Sequence, residues 1–88
     1  MKLPIKTRIL QYAIQRDSAF TAKDVYNDLK DEYPGERFFN QKTVDDYVDS
    51  LIGVGFFDAA KLEFDENGEL VIYCVVTEEG KSREKYMK

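Results

Sequence analysis

Histidine and tryptophan are absent from these 88 residues, and cysteine occurs once, at Cys74. Without histidine or a second cysteine, the common zinc ligand sets and histidine-based triads have no residues to draw on. A single cysteine forms no intrachain disulfide. Its setting in "LVIYCVV", with no basic neighbour in sequence, is that of a buried structural thiol. Enzymatic chemistry would have to run on carboxylates, Lys, Tyr or Ser, and no set of nucleophile, base and oxyanion donor stands out. The expectation is therefore a non-enzyme without cofactor or metal. Long apolar runs are missing too: none approaches the roughly 20 residues of a membrane-spanning helix, and "MKLPIKTRIL" lacks a signal-peptide core. That reads as a cytoplasmic protein with no membrane partner. Positive charge is scarce, with 13 Lys and Arg against 17 Asp and Glu and a formal net charge of −4. Domains that bind nucleic acid generically are usually basic, so the balance speaks against such a binder.

What is present is a composition for folding. Hydrophobic residues make up 43% of the chain and charged residues 34%, far from the regime of disorder. A chain this short has room for one core, so residues 1–88 are expected to form a single domain.

Ile5, Ile9, Tyr12 and Ala13 recur at helical spacing, and Pro4 suits a first turn, which predicts a helix from Pro4 to Arg16. Leu10 and Ile14 lie off that stripe, so a second side of the helix needs cover. Thr21 with Asp24 has the form of a capping box opening a second helix, Ala22 to Glu32, whose inner face is Ala22, Val25, Tyr26, Leu29 and Tyr33. Pro34 and Gly35 end it in a turn. Asn40 caps a third helix with Val44, Tyr47, Val48, Leu51 and Ile52 as its core face, and Gly55 suits a left-handed cap. The opposite face carries Lys42, Asp46 and Asp49, with Asp45 beside them.

"FFDAAKLEFDENGELVIYCVV" predicts a hairpin turned at "DENG", with Gly68 left-handed in a three-residue loop. That register sets Phe64, Leu62 and Ala60 opposite Leu70, Ile72 and Cys74. A two-residue Asn67-Gly68 turn would place Glu66 against Glu69 and is disfavoured. Val71, Tyr73 and Val75 then fall on the outer face beside Lys61 and Glu63. Thr77 caps a short C-terminal helical segment carrying Lys81, Arg83, Lys85 and Lys88.

The expected fold class is thus α+β: a three-helix core, a β-hairpin and a short C-terminal helical segment. That order resembles a winged helix-turn-helix domain of the small prokaryotic transcriptional-regulator type, with a short strand at Ala19 to Thr21 as third partner of the wing. "FTAKDVYNDL" resembles the strand and second helix. "NQKTVDDYVDSLIGVGFF" resembles the third helix entering the first wing strand, and "VVTEEGK" resembles the segment that ends the wing in many such regulators. The resemblance implies a DNA-binding regulator whose third helix enters the major groove. It assigns base contacts to Asn40, Gln41, Lys42 and Thr43, with Asp46 near them, and phosphate contacts to Lys23 and Arg37.

The departures support an alternative. Asp46 and Asp49 would point towards phosphates, and the wing tip carries Asp65, Glu66 and Glu69 where basic residues are usual. The same domain then serves as a protein-interaction module. It presents Asp45, Asp46, Asp49, Asp65, Glu66 and Glu69 to a basic protein partner, with little or no DNA binding. The plainer reading, that these charges only solvate an exposed face, stands beside it. Asp45 and Asp49 are too few to hold a cation, and "DENGEL" lacks the calcium-loop series. The basic residues of the two ends, Lys2, Lys6 and Arg8 with Lys81, Arg83, Lys85 and Lys88, either form one patch or are solvated separately. Finally, Leu3, Leu10 and Ile14 are either covered by the C-terminal segment or form the face of a homodimer, which is the expectation carried forward.

Overall fold

Helix α1, Ile5–Arg16, is the first element of the computed structural model, which describes residues 4–86. It ends at Asp17, whose φ of 50° is left-handed, a conformation that Asp tolerates better than most side chains. Helix α2, Ala22–Leu29, opens on the full capping box: Thr21 Oγ1 accepts from the Asp24 amide, and Asp24 Oδ2 accepts from the Thr21 amide, both at 3.1 Å. The expected continuation to Glu32 is present but tightens into a 3-10 turn, Lys30–Glu32. Helix α3, Gln41–Gly53, starts where Asn40 Oδ1 accepts from the Thr43 amide at 2.9 Å. Gly55 follows it with a left-handed φ of 85°. Strands β1, Phe57–Phe64, and β2, Leu70–Val76, pair antiparallel, and a one-turn helix α4, Glu78–Lys81, and a 3-10 turn, Glu84–Tyr86, follow. Among the described residues the architecture is α+β, four α-helices with a two-stranded antiparallel sheet. None of these helices is long and apolar enough to cross a membrane.

The hairpin register follows the turn. Phe64 pairs with Leu70 and Leu62 with Ile72, and Gly68 has the left-handed φ of 78° that the loop requires. Nearer the core the expectation fails by one residue: a bulge at Ala60 sets Ala59, not Ala60, opposite Cys74. The expected strand at 19–21 is reduced to one antiparallel bridge, in which Phe20 and Cys74 exchange both backbone bonds at 3.0 and 2.7 Å.

One buried cluster joins α1, α2, α3 and the hairpin: Ile9, Leu10 and Ala13 of α1, Val25 and Leu29 of α2, Val44, Val48 and Leu51 of α3, and Phe20, Phe57 and Cys74 around the sheet. Phe20 meets the ring of Phe57 edge-on at 5.0 Å, while Phe39 stacks between Tyr26 and Tyr33 and fastens the link from α2 to α3. Leu10 is only 5% exposed, because α3, β2 and α4 all pack against α1. The second side of α1 is therefore covered within the chain, and Leu10 is not available as a dimer face. Ile14 packs half-buried on the same core, and Leu3 lies outside the described residues.

Two of the basic residues at the ends, Arg8 and Lys81, lie well apart. Arg8 clasps Glu32 with two bonds of 2.9 and 3.0 Å, and Lys6 donates to Ser50 Oγ. Lys81 instead lies 3.6 Å from Asp17, nine residues further along α1 than Arg8, or about 14 Å at 1.5 Å per residue. Lys2 and Lys88 lie outside the described residues.

The C-terminal turn is locked on to the start of β1. The Thr77 amide donates to Phe56 O at 2.9 Å, its hydroxyl donates to Gly55 O at 2.7 Å and accepts from the Gly80 amide. Gly80 is buried with its Cα against the Phe56 carbonyl and the Val76 side chain, leaving no room for a Cβ. Arg83 lies over the Phe56 ring at 5.1 Å. The "TEEG" sequence thus has a physical reason: a cap at Thr77 and a residue without a side chain one turn later.

A candidate docking cleft between the third helix and the hairpin

The hairpin is longer than the helices can cover. Eight residues of β1 extend about 26 Å at 3.3 Å each, and only Phe57 among them is buried. The core-facing side therefore runs out beyond the core as an apolar overhang, with Leu62 61%, Phe64 75% and Leu70 52% exposed. Large apolar groups left in water this way and close together mark an interaction surface more often than single ones do.

Beside this overhang the outer side of α3, the start of α2 and the hairpin enclose a cleft of about 560 Å³. Val48 and Ile52 of α3 and Leu70 and Ile72 of β2 supply its apolar lining. The charged groups around them are Asp24, Asp45, Asp49, Asp65 and Glu69, against the single ammonium of Lys23. Some of these carboxylates hold local structure. Asp24 caps α2 and lies 3.8 Å from Arg16, Asp45 accepts from the Gln41 amide at 2.9 Å, and Asp65 Oδ1 accepts from the amides of Asn67 and Glu69 across the turn. Burial pushes the Cys74 thiol up to about 11, and the negative charge of Asp49 adds to the shift. Cys74 thus stays a protonated core residue.

The residues expected to touch bases are partly committed elsewhere. Asn40 uses its carbonyl on the α3 cap and donates its amide to Arg37 O at 3.2 Å; Gln41 is turned along the helix to Asp45. Lys42 is 87% exposed with its ammonium 3.5 Å from Asp46. Thr43 is half-buried, Arg37 is exposed, and Lys23 stands on the cleft wall. Of the expected acidic face, Asp45, Asp49, Asp65 and Glu69 come together in the cleft, whereas Asp46 pairs with Lys42 and Glu66 lies outside the lining. Sequence reasoning missed Asp24 as a member. The available signal was the strand expected at 19–21: pairing it with the hairpin places the next residues beside β2.

Among the described residues, no three His, Cys, Asp or Glu side chains lie close enough to hold a metal ion. Compared with known proteins, the chain matches no family model, no curated protein and no solved structure.

Proposed function

We propose that this chain is a winged helix-turn-helix module that captures a basic protein segment in the cleft between α3 and the hairpin. The order of helices and hairpin supports the fold, and the cleft supports the use. The observation that carries the reading is the lining: five carboxylates and one ammonium set around apolar side chains, of which Leu70 is exposed and Ile52 and Ile72 are half-buried. A DNA backbone entering this cleft would bring phosphates towards like charge and lose the counterion release on which duplex affinity mostly depends. A segment rich in Lys and Arg gains instead from complementary potential, in rate of encounter and in choice of partner. Its aliphatic stems lie over Leu70, Ile72 and Ile52 while the charged heads reach the carboxylates.

The test is fluorescence anisotropy of a labelled Lys-Val alternating peptide against the protein and against an Asp45→Lys, Asp49→Lys double variant. Both aspartates are exposed, so the variant keeps its fold. The expected result is affinity for the native protein that falls at least about tenfold in the variant, or about 1.4 kcal/mol. Equal affinities would remove the acidic cleft from the account.

A second reading is a transcriptional regulator that binds duplex DNA, and one observation favours it. On the first turn of α3 Lys42 is 87% exposed, and Lys23 and Arg37 are exposed as well. Under that reading Lys42→Ala and Gln41→Ala weaken duplex binding and Asp49→Ala strengthens it.

A further inference from the structure

The cleft has one wall made of backbone. Asp65 donates its amide to Glu69 O at 2.9 Å, which makes Asp65 and Glu69 a hydrogen-bonded pair at the loop end of the hairpin. In an antiparallel ladder such pairs alternate with non-hydrogen-bonded ones. The pairs Glu63 with Val71 and Lys61 with Tyr73 therefore exchange bonds across the hairpin, while Leu70 and Ile72 turn their N–H and C=O groups away from β1. The bridge to Phe20 confirms the phase, since Cys74, two residues beyond Ile72, uses both its backbone groups on that far side.

A strand continuing antiparallel from Phe20 would set residue 22 beside Ile72 and residue 24 beside Leu70. The chain does not continue. The Thr21 and Asp24 capping box turns it into α2 at Ala22, and the far side of β2 is left open along Leu70–Tyr73, about 13 Å at 3.3 Å per residue. Outside the ladder with β1, the Leu70 and Ile72 amides have no backbone partner among the described residues. This open edge is the wall of the acidic cleft.

We infer that the cleft takes its partner as an added β-strand: an extended basic segment pairs with Leu70 and Ile72 and occupies the place that α2 vacates. The inference rests on the docking reading above and specifies its geometry. An added strand alternates its side chains between two faces. One set points at α3, where Asp45 and Asp49 receive Lys or Arg heads and Val48 and Ile52 receive their stems. The other set points to solvent and carries no requirement. The recognised chemistry is therefore a peptide with Lys or Arg at every second position and no proline at the pairing positions, bound through its main chain. Open strand edges are normally blunted by charge or covered. Here the carboxylates around the edge repel acidic strands and further copies of this acidic chain while admitting a basic one.

The test uses two N-methylated forms of one probe, an acetylated and amidated Lys-Val-Lys-Val-Lys-Val-Lys peptide, methylated on the amides of either its lysines or its valines. Only one series removes the donors that face β2. The expected result is that one series binds at least about tenfold more weakly than the other. Amide exchange in the bound protein should slow at Leu70 and Ile72. Equal affinities for the two series, or unchanged exchange at both residues with the peptide bound, overturn strand addition. They leave the docking reading intact if Asp45→Lys, Asp49→Lys still weakens binding at least about tenfold. Failure of the unmethylated peptide to bind overturns both.

Discussion

Replacing Gly80 with alanine places a methyl group against the Phe56 carbonyl and the Val76 side chain, and the first of these cannot yield cheaply. Phe56 O accepts the Thr77 amide at 2.9 Å, and Thr77 in turn holds Gly55 and caps α4. Making room for the methyl group means giving up one or two of these bonds at about 1 kcal/mol each, or accepting an overpacking cost of about 1–3 kcal/mol. The helix-propensity gain of alanine over glycine returns about 1 kcal/mol at most. The net expectation is a loss of about 1 kcal/mol, which at about 4–8 °C per kcal/mol lowers the melting temperature by about 4–8 °C in a domain of this size. Gly53 is the matched control. It closes α3 with nothing within 4 Å of an added Cβ and no positive φ, so Gly53→Ala raises stability by about 0.5 kcal/mol. Thermal and urea melts followed by circular dichroism read both signs. A Gly80→Ala protein as stable as the native one would refute the lock between the C-terminal turn and β1.

Core and overhang separate in the same assay: Phe57→Ala, at a 1% exposed site, costs about 3–5 kcal/mol, whereas Phe64→Ala, at a 75% exposed site, changes stability by less than about 0.5 kcal/mol. The Arg8 hydrogen bonds hold the Glu32 carboxyl below its usual value. That contribution is present above the ordinary carboxylate range and is lost as pH falls through the depressed value, so urea midpoints should show an acid limb that Arg8→Ala removes. Burial raises the Cys74 thiol to about 11, so its contribution is full below the ordinary thiol value near 9 and is lost as pH rises through 11. At pH 8 a thiol reagent should therefore label the native protein only as fast as it opens, and labelling as rapid as in urea would contradict a buried Cys74.

Much of the fold is written in local chemistry. Thr21 with Asp24 and Asn40 with Thr43 announce helix starts that need no tertiary information, and "DENG" sets the register of Phe64 and Leu62 because a left-handed Gly68 admits few turns. The bulge at Ala60 was not legible because Ala59 and Ala60 are equally small, and either one suits the position opposite Cys74. Leu10 could be assigned to a second apolar side of α1 but not to a cover, since α3, β2 and α4 meet it only after folding. Alternation likewise told which hairpin residues share a face, without telling that the helices stop short of Leu62, Phe64 and Leu70. The carboxylates of the cleft were visible singly. Their convergence with Asp24 and an open strand edge depends on the single bridge from Phe20 to Cys74, which alternation alone cannot locate.

The most direct test of the account is a pair of titrations at low salt, in which amide resonances of the protein are followed as the Lys-Val peptide or a random-sequence DNA duplex is added. Saturable shifts are expected with the peptide at Asp24, Asp45, Asp49, Leu70 and Ile72, and none of comparable size with the duplex. Shifts with the duplex centred on Gln41, Lys42 and Arg37, with the cleft unmoved by peptide, would contradict the docking reading and return α3 to DNA.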